Sequence, residues 1–75
     1  MLENQQEALE IFVIYKNPSD YPDEYVVRRF LNDIPDLKPF AVENNLYLSR
    51  LKIPEGKVCV ARSKDDDSVI VESWI

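Results

Sequence analysis

Three arginines, Arg28, Arg29 and Arg62, are the side chains best suited to recognition chemistry in this chain. A guanidinium is a planar fork of donors that matches phosphate or carboxylate, and it gains from a neighbouring aromatic ring. Arg28 and Arg62 are expected on one face of an antiparallel sheet, near Tyr15 or Tyr25, where they would make a small-anion site. The competing reading pairs each arginine with an acid such as Asp20, Glu24 or Glu72 across the sheet. Arg28 carries the sharper form of this choice. It alternates with Val26 and Phe30 on an otherwise apolar face, where an unpaired cation is costly. The candidate binding residues are therefore Arg28, Arg29, Arg62, Tyr15, Tyr25 and Asp20.

Other chemistry has less to build on. The chain has no histidine, the commonest general base and transition-metal ligand. Cys59 stands between Val58 and Val60 in an expected strand, reads as core, and has no base to activate it. Ser19, Ser49, Ser63, Ser68 and Ser73 lack a base of the usual kind as well, and no spacing singles out a pair among the 14 acids. Asp65-Asp66-Asp67 suggests a hard cation. A calcium loop, however, alternates its carboxylates and bends at a glycine, and this run does neither. A polar hairpin turn is the expectation there. No metal, no cofactor and no enzymatic activity are expected.

Several elements must position these residues. Glu10 to Lys16 reads as an interior strand, because β-branched and aromatic residues make both its faces apolar. Asn17-Pro18-Ser19-Asp20-Tyr21-Pro22-Asp23 is the clearest loop, with two prolines and four side chains (Asn17, Ser19, Asp20 and Asp23) able to accept turn hydrogen bonds. Tyr21-Pro22 invites a cis bond, with trans the expectation. Glu24 to Phe30 alternates as a second strand, Tyr25, Val27 and Arg29 facing one way and Val26, Arg28 and Phe30 the other. Residues 31–44 are broken by Ile34-Pro35 and Lys38-Pro39, and Phe40-Ala-Val42 reads as a short strand or a docked loop. Asn45 caps an expected helix over 46–53, although the same residues alternate well enough for a strand. Leu46, Arg50 and Ile53 share one helical face, and Pro54-Glu55-Gly56 ends it. Lys57 to Arg62 and Val69 to Ile75 are the last two strands, with Trp74 expected on the Ile70 side. The fold class is α+β: one small antiparallel sheet of about four strands, in the order β-β-α-β-β, with one helix packed across one face. Residues 1–9 read as a short helix or tail ahead of a single domain over 10–75.

Two segments resemble a family of short bacterial proteins of unknown function. One is Tyr15-Lys-Asn-Pro-Ser-Asp-Tyr-Pro-Asp-Glu-Tyr-Val-Val-Arg-Arg29. The other runs from Ile53-Pro-x-Gly56 through Arg62-Ser63 to Asp66-Asp67-x-Val-Ile-Val-Glu72-x-Trp74-Ile. The resemblance covers most of residues 11–75 and leaves the first ten as an extension. It departs at the helix, where the family's Leu-Glu-Glu-Ala-Arg stands against Leu46-Tyr-Leu-Ser-Arg50, so that only Leu46 and Arg50 correspond. It implies a helix at that place and a bacterial source, and it carries no function.

Seventy-five residues make one small domain, and an apolar fraction of 45% with eight aromatic residues suffices for a modest core. The longest apolar run, Ile11 to Tyr15, is far short of the ~20 residues of a membrane span. Acidic residues stand where a signal peptide would be basic, so the expected compartment is the cytoplasm. The net charge of −5 divides into −5 over residues 1–27, +4 over 28–64 and −4 over 65–75. Bulk attraction to nucleic acid or to a membrane is not expected. The leading expectation is a non-enzymatic bacterial interaction module whose partner is another protein or a second copy. An acidic inhibitor, immunity or DNA-mimic protein using 20–24 and 65–67 is the alternative. A regulatory domain that binds a small anion through Arg28, Arg29 or Arg62 is the second alternative.

Overall fold

Glu-Ile-Phe-Val-Ile-Tyr-Lys offers apolar side chains to both faces, and such a strand is stable only with neighbours on each edge and cover on each side. The computed structural model describes residues 8–75, and it sets this strand, β1 (Glu10–Lys16), at the centre of the sheet. Phe12, Val13 and Ile14 are all buried. Strand β2 (Tyr25–Leu31) pairs antiparallel with one edge of β1, from Glu10 opposite Leu31 to Lys16 opposite Tyr25. The loop between them closes where the Asn17 N–H donates to the Glu24 carbonyl at 2.9 Å. Asn17 takes a left-handed φ of 52°, a conformation asparagine tolerates better than most residues. The peptide bonds of the described residues are trans.

Among the described residues the sheet has six strands rather than four. Strand β3 (Ile34–Pro35) pairs with Phe30–Leu31, and β4 (Ala41–Glu43) pairs with Tyr25–Val27, so both lie along the outer edge of β2. Helix α1 (Leu46–Leu51) follows, then β5 (Cys59–Ala61) and β6 (Ile70–Trp74). The chain order is thus β-β-β-β-α-β-β, and β6 inserts between β1 and β5. The two additional strands are short and adjoin prolines, which cannot donate to a ladder and so hide strand character from composition. One signal was present. Asn32 and Asp33, with φ of 52° and 70°, form a two-residue turn between the paired residues Leu31 and Ile34, and an Asn-Asp dipeptide suits such a turn.

Alternation divides the sheet into two faces. Phe12, Ile14 and Val27 form the buried cluster of one face, against which Tyr25, Ala41, Leu46, Ile53, Val71 and Trp74 pack. Leu46 and Ile53 lie on or beside α1, so the helix covers this face. Its first turn is capped as expected, the Leu48 N–H donating to Asn45 Oδ1 at 2.8 Å. Phe40 meets Phe12 edge to face at 4.8 Å, and Lys57 Nζ stands 5.6 Å above the same ring. Each fully buried side chain of this size contributes about 1.5–3 kcal/mol. That is a large share of a small domain's margin of about 5–15 kcal/mol.

The second face carries Ile11, Val13 and Tyr15 from β1, with Phe30, Arg28 and Val26 opposite them on β2. A bulge in β6 changes which face its residues take. Ile14 is opposite Glu72 but Tyr15 is opposite Ile70, so Val71 is the extra residue. Trp74, opposite Phe12, consequently lies on the helix-covered face, and Ile70, opposite Tyr15, lies on the other. The expected sharing of one side by Trp74 and Ile70 is corrected by this single inserted residue. Most of the helix or tail expected over 1–9 falls outside the described residues. No helix among the described residues is long and apolar enough to cross a membrane.

Candidate functional site

Arg28 and Arg29 are adjacent in β2 and therefore point to opposite faces, yet both reach Asp36, just beyond β3. Arg28 Nη1 donates to the Asp36 carbonyl at 3.0 Å, and Nη2 stands 3.7 Å from Asp20 Oδ2. Arg29 sends Nε and Nη2 to the Asp36 carboxylate at 2.9 and 3.4 Å, and Nη1 to Glu10 Oε2 at 3.3 Å. The hydrogen bonds it donates to Asp36, then to Glu10, hold the Arg29 guanidinium firmly in its charged form. Lys57 completes this group, with Nζ on the Glu10 carbonyl at 2.8 Å and on Oε1 at 3.2 Å, and it is the main influence lowering the Glu10 carboxyl.

The candidate binding residues do not converge. Tyr15 and Arg28 share the face away from α1. Burial pushes the Tyr15 hydroxyl up, Arg28 draws it back, and Asp67 adds to the rise. Tyr25 and Arg29 lie on the opposite face. Arg62 follows β5, which β1 and β6 separate from β2, so Arg62 is roughly 14 Å from Arg28 at ordinary strand spacing. Its Nη2 donates to the Asp66 carbonyl at 3.2 Å. The described residues enclose no pocket around these groups. Because Arg28 already has acceptors in its own chain, Arg28→Met is expected to cost about 1–2 kcal/mol. Low-millimolar phosphate should leave the melting temperature of the unaltered protein unchanged. A saturable phosphate stabilisation that disappears in Arg28→Met would reverse this assignment.

Sequence reasoning missed the strongest charged contact. Arg50 reaches from α1 to β6 and grips Glu72 with two bonds, Nε to Oε2 and Nη2 to Oε1, both 2.8 Å. Trp74 Nε1 donates to the same Oε2 at 2.9 Å. Glu72 is only 5% exposed. Its carboxyl is held below the ordinary range near 4.5, by Arg50 first, against the opposing push of burial. The sequence held a signal, since Arg50 shares the apolar face of its helix with Leu46 and Ile53. A cation there calls for an acid opposite. Cys59 stands beside this carboxylate and is exposed, not in the core as expected, because β5 is an edge strand. Although the residue is exposed, partial desolvation of the sulfur by its neighbours, then Glu72, push its thiol up and away from reactivity.

The aspartate run is spent on its own turn. Asp66 Oδ2 accepts from the Ser63 N–H at 2.9 Å and Asp67 Oδ1 from the Val69 N–H at 3.2 Å. The described residues contain no group of three or more acids or cysteines placed to hold a metal ion. The Lys16 N–H donates to the Val69 carbonyl at 2.7 Å, so the turn at 63–69 and the loop at 17–24 emerge at one end of the sheet.

The remaining candidates are on the surface. Phe30 and Tyr15 are half-buried on the face away from α1, whereas Tyr47 is exposed on α1. On that face away from α1 Ile11 is flanked by Phe30 of β2, and the adjoining strands end in Ile75 and Val58, which exchange both backbone hydrogen bonds. Val58, Val60 and Ile75 are 64%, 42% and 50% exposed, a cluster of aliphatic side chains at the β5 edge. No family model, no curated protein and no solved structure matches the chain.

Proposed function

We propose that the chain is a non-enzymatic interaction module of a bacterial cytoplasm, which engages a protein partner along β5 and the adjoining face away from α1. The observation that carries this reading is the coincidence of exposed Val58, Val60 and Ile75 with the last strand of the sheet. Exposed aliphatic side chains beside an unfilled strand edge suit docking of another chain, which gains main-chain hydrogen bonds and buried apolar area together. The charged groups support it from the other direction, since Arg28, Arg29, Arg50 and Lys57 are engaged with acceptors of their own chain. That leaves little for an anion-binding role.

The test is capture from a lysate of the native host, with the protein compared against a Val58→Lys/Val60→Lys variant of equal melting temperature. A partner retained by the first and lost by the second is the expected result. Equal recovery by both would end the proposal. A second reading, the acidic mimic, draws support from the shared end of the two acidic loops, where Asp20, Asp23, Glu24 and Asp65–Asp67 gather. Its signature is binding to a basic protein that weakens steeply with salt.

A further inference from the structure

We infer that two copies of this chain pair through β5, antiparallel and centred on Val60, joining their sheets across a two-fold axis. The inference rests on the interaction-module reading and names its partner. It begins with backbone direction. Val58 exchanges both of its backbone hydrogen bonds with Ile75, at 2.7 and 2.9 Å, so its N–H and C=O point inward to β6. Alternation along a strand then turns the N–H and C=O of Cys59 and Ala61 outward, toward the side where no strand of the described residues follows. All three residues of β5 are exposed.

Two outward residues separated by one inward residue suit a two-fold partner. Cys59 of each copy lies opposite Ala61 of the other, and the four N–H groups and carbonyls close four hydrogen bonds. Val60 meets Val60 of the second copy in the non-hydrogen-bonded position, where Cα atoms stand about 4.5 Å apart and side chains touch. The segment Val58-Cys59-Val60-Ala61 also alternates large and small, so small side chains meet small ones and valine meets valine. It holds no charge, and no like charges are brought opposite one another within it. A two-fold axis normal to the sheet keeps the helices on one side and sets Val58, Val60 and Ile75 of both copies side by side on the other.

The opposite edge of the sheet is built differently. It consists of the two-residue β3 and the three-residue β4, interrupted by Pro35 and Pro39. Pro35 has no N–H to donate and Pro39 stands two residues ahead of β4, so this edge denies an incoming chain the proline-free template that β5 offers. With one pairing edge and one blunted edge, self-association through β5 closes at two copies and does not continue into a fibre.

Sedimentation of the full chain from micromolar to millimolar concentration reads the proposal directly. The expected result is a monomer–dimer equilibrium, with Val60→Lys raising the dissociation constant at least tenfold. Independently, Val60→Cys in a Cys59→Ser background should yield a disulfide-linked dimer on mild oxidation, since the Cα separation falls within disulfide reach. An Asp23→Cys control in the same background should not. A monomer at every concentration, a dimer indifferent to Val60→Lys, or equal cross-linking at residues 60 and 23 would each overturn the pairing. A strictly monomeric protein that still loses a lysate partner in the Val58→Lys/Val60→Lys variant would overturn the pairing alone and leave the interaction module standing.

Discussion

Replacing Arg50 with methionine is expected to cost about 3 kcal/mol of folding stability and to reverse the acid dependence of the stability left. The substitution keeps the aliphatic stem packed and removes two of the three bonds the Glu72 carboxylate accepts, leaving only the Trp74 indole. Stripping the partner from a wholly buried pair costs about 3–5 kcal/mol. Arg50 is half exposed, which puts the expectation at the lower end. The pH dependence is set by the direction of the Glu72 shift. Its folded value lies below the ordinary one near 4.5, so the stability it contributes is complete above that pH and is lost as pH falls through the folded value. Without Arg50, burial is opposed only by the hydrogen bonds of Trp74 and Cys59, and the carboxyl is expected to rise. The folded state then favours the protonated acid, and the variant should regain part of its loss between pH 6 and pH 4, about the range in which a raised carboxyl takes up its proton. Urea unfolding across that range measures both effects. Parallel curves for the two proteins would contradict the assignment.

Trp74→Ala is expected to cost about 3–4 kcal/mol, through lost packing and through the carboxylate hydrogen bond that goes with the indole. Trp74 lies opposite Phe12, packs against the Phe12–Ile14–Val27 cluster, and joins β6 to both β1 and β5. Removing residues 69–75 altogether strips one edge of β1 and detaches β5, so cooperative unfolding should vanish. As the only tryptophan, Trp74 reports on itself, and its native emission should be blue-shifted from that of the free indole in water. A fully water-exposed emission maximum, or a loss below about 1 kcal/mol, would show that the ring is not part of the core.

The long elements were legible because each carried a strong local pattern. Glu10–Lys16 is β-branched and aromatic through its centre, and Asn45 announced its helix by a capping side chain that does bond Leu48. The short elements were not, because their strand character is imposed from outside. Ile34–Pro35 and Ala41–Glu43 are strands only because β2 offers them an edge. The side taken by Trp74 was hidden for a related reason, since a bulge is set by how β6 fits β1 and leaves no mark in alternation. Cys59 looked like core because Val58 and Val60 flank it, and position within a sheet, not composition, decides whether such a strand is covered. Of the charged groups, the need of Arg28 for an acceptor was legible but not which residue supplies it, and Arg50 with Glu72 required knowing that α1, packed on β2 and β4, sends this one long side chain as far as β6.

The placement of β6 against β1 also bears on how fast the chain folds. Phe12 and Trp74 are partners although about 60 residues separate them in sequence, so that contact bears a large loop-closure cost. The β1–β2 hairpin is local and can form early, while β6 must find the far edge of β1 afterwards. Contacts made across that seam, Arg50 with Glu72 and Trp74 with Phe12, are therefore expected to form late, after the folding transition state. Stability removed there emerges as faster unfolding with little change in the folding rate. In this protein the residues at 72 and 74 act as a latch on an assembled sheet, and they govern how long the native state lasts once formed.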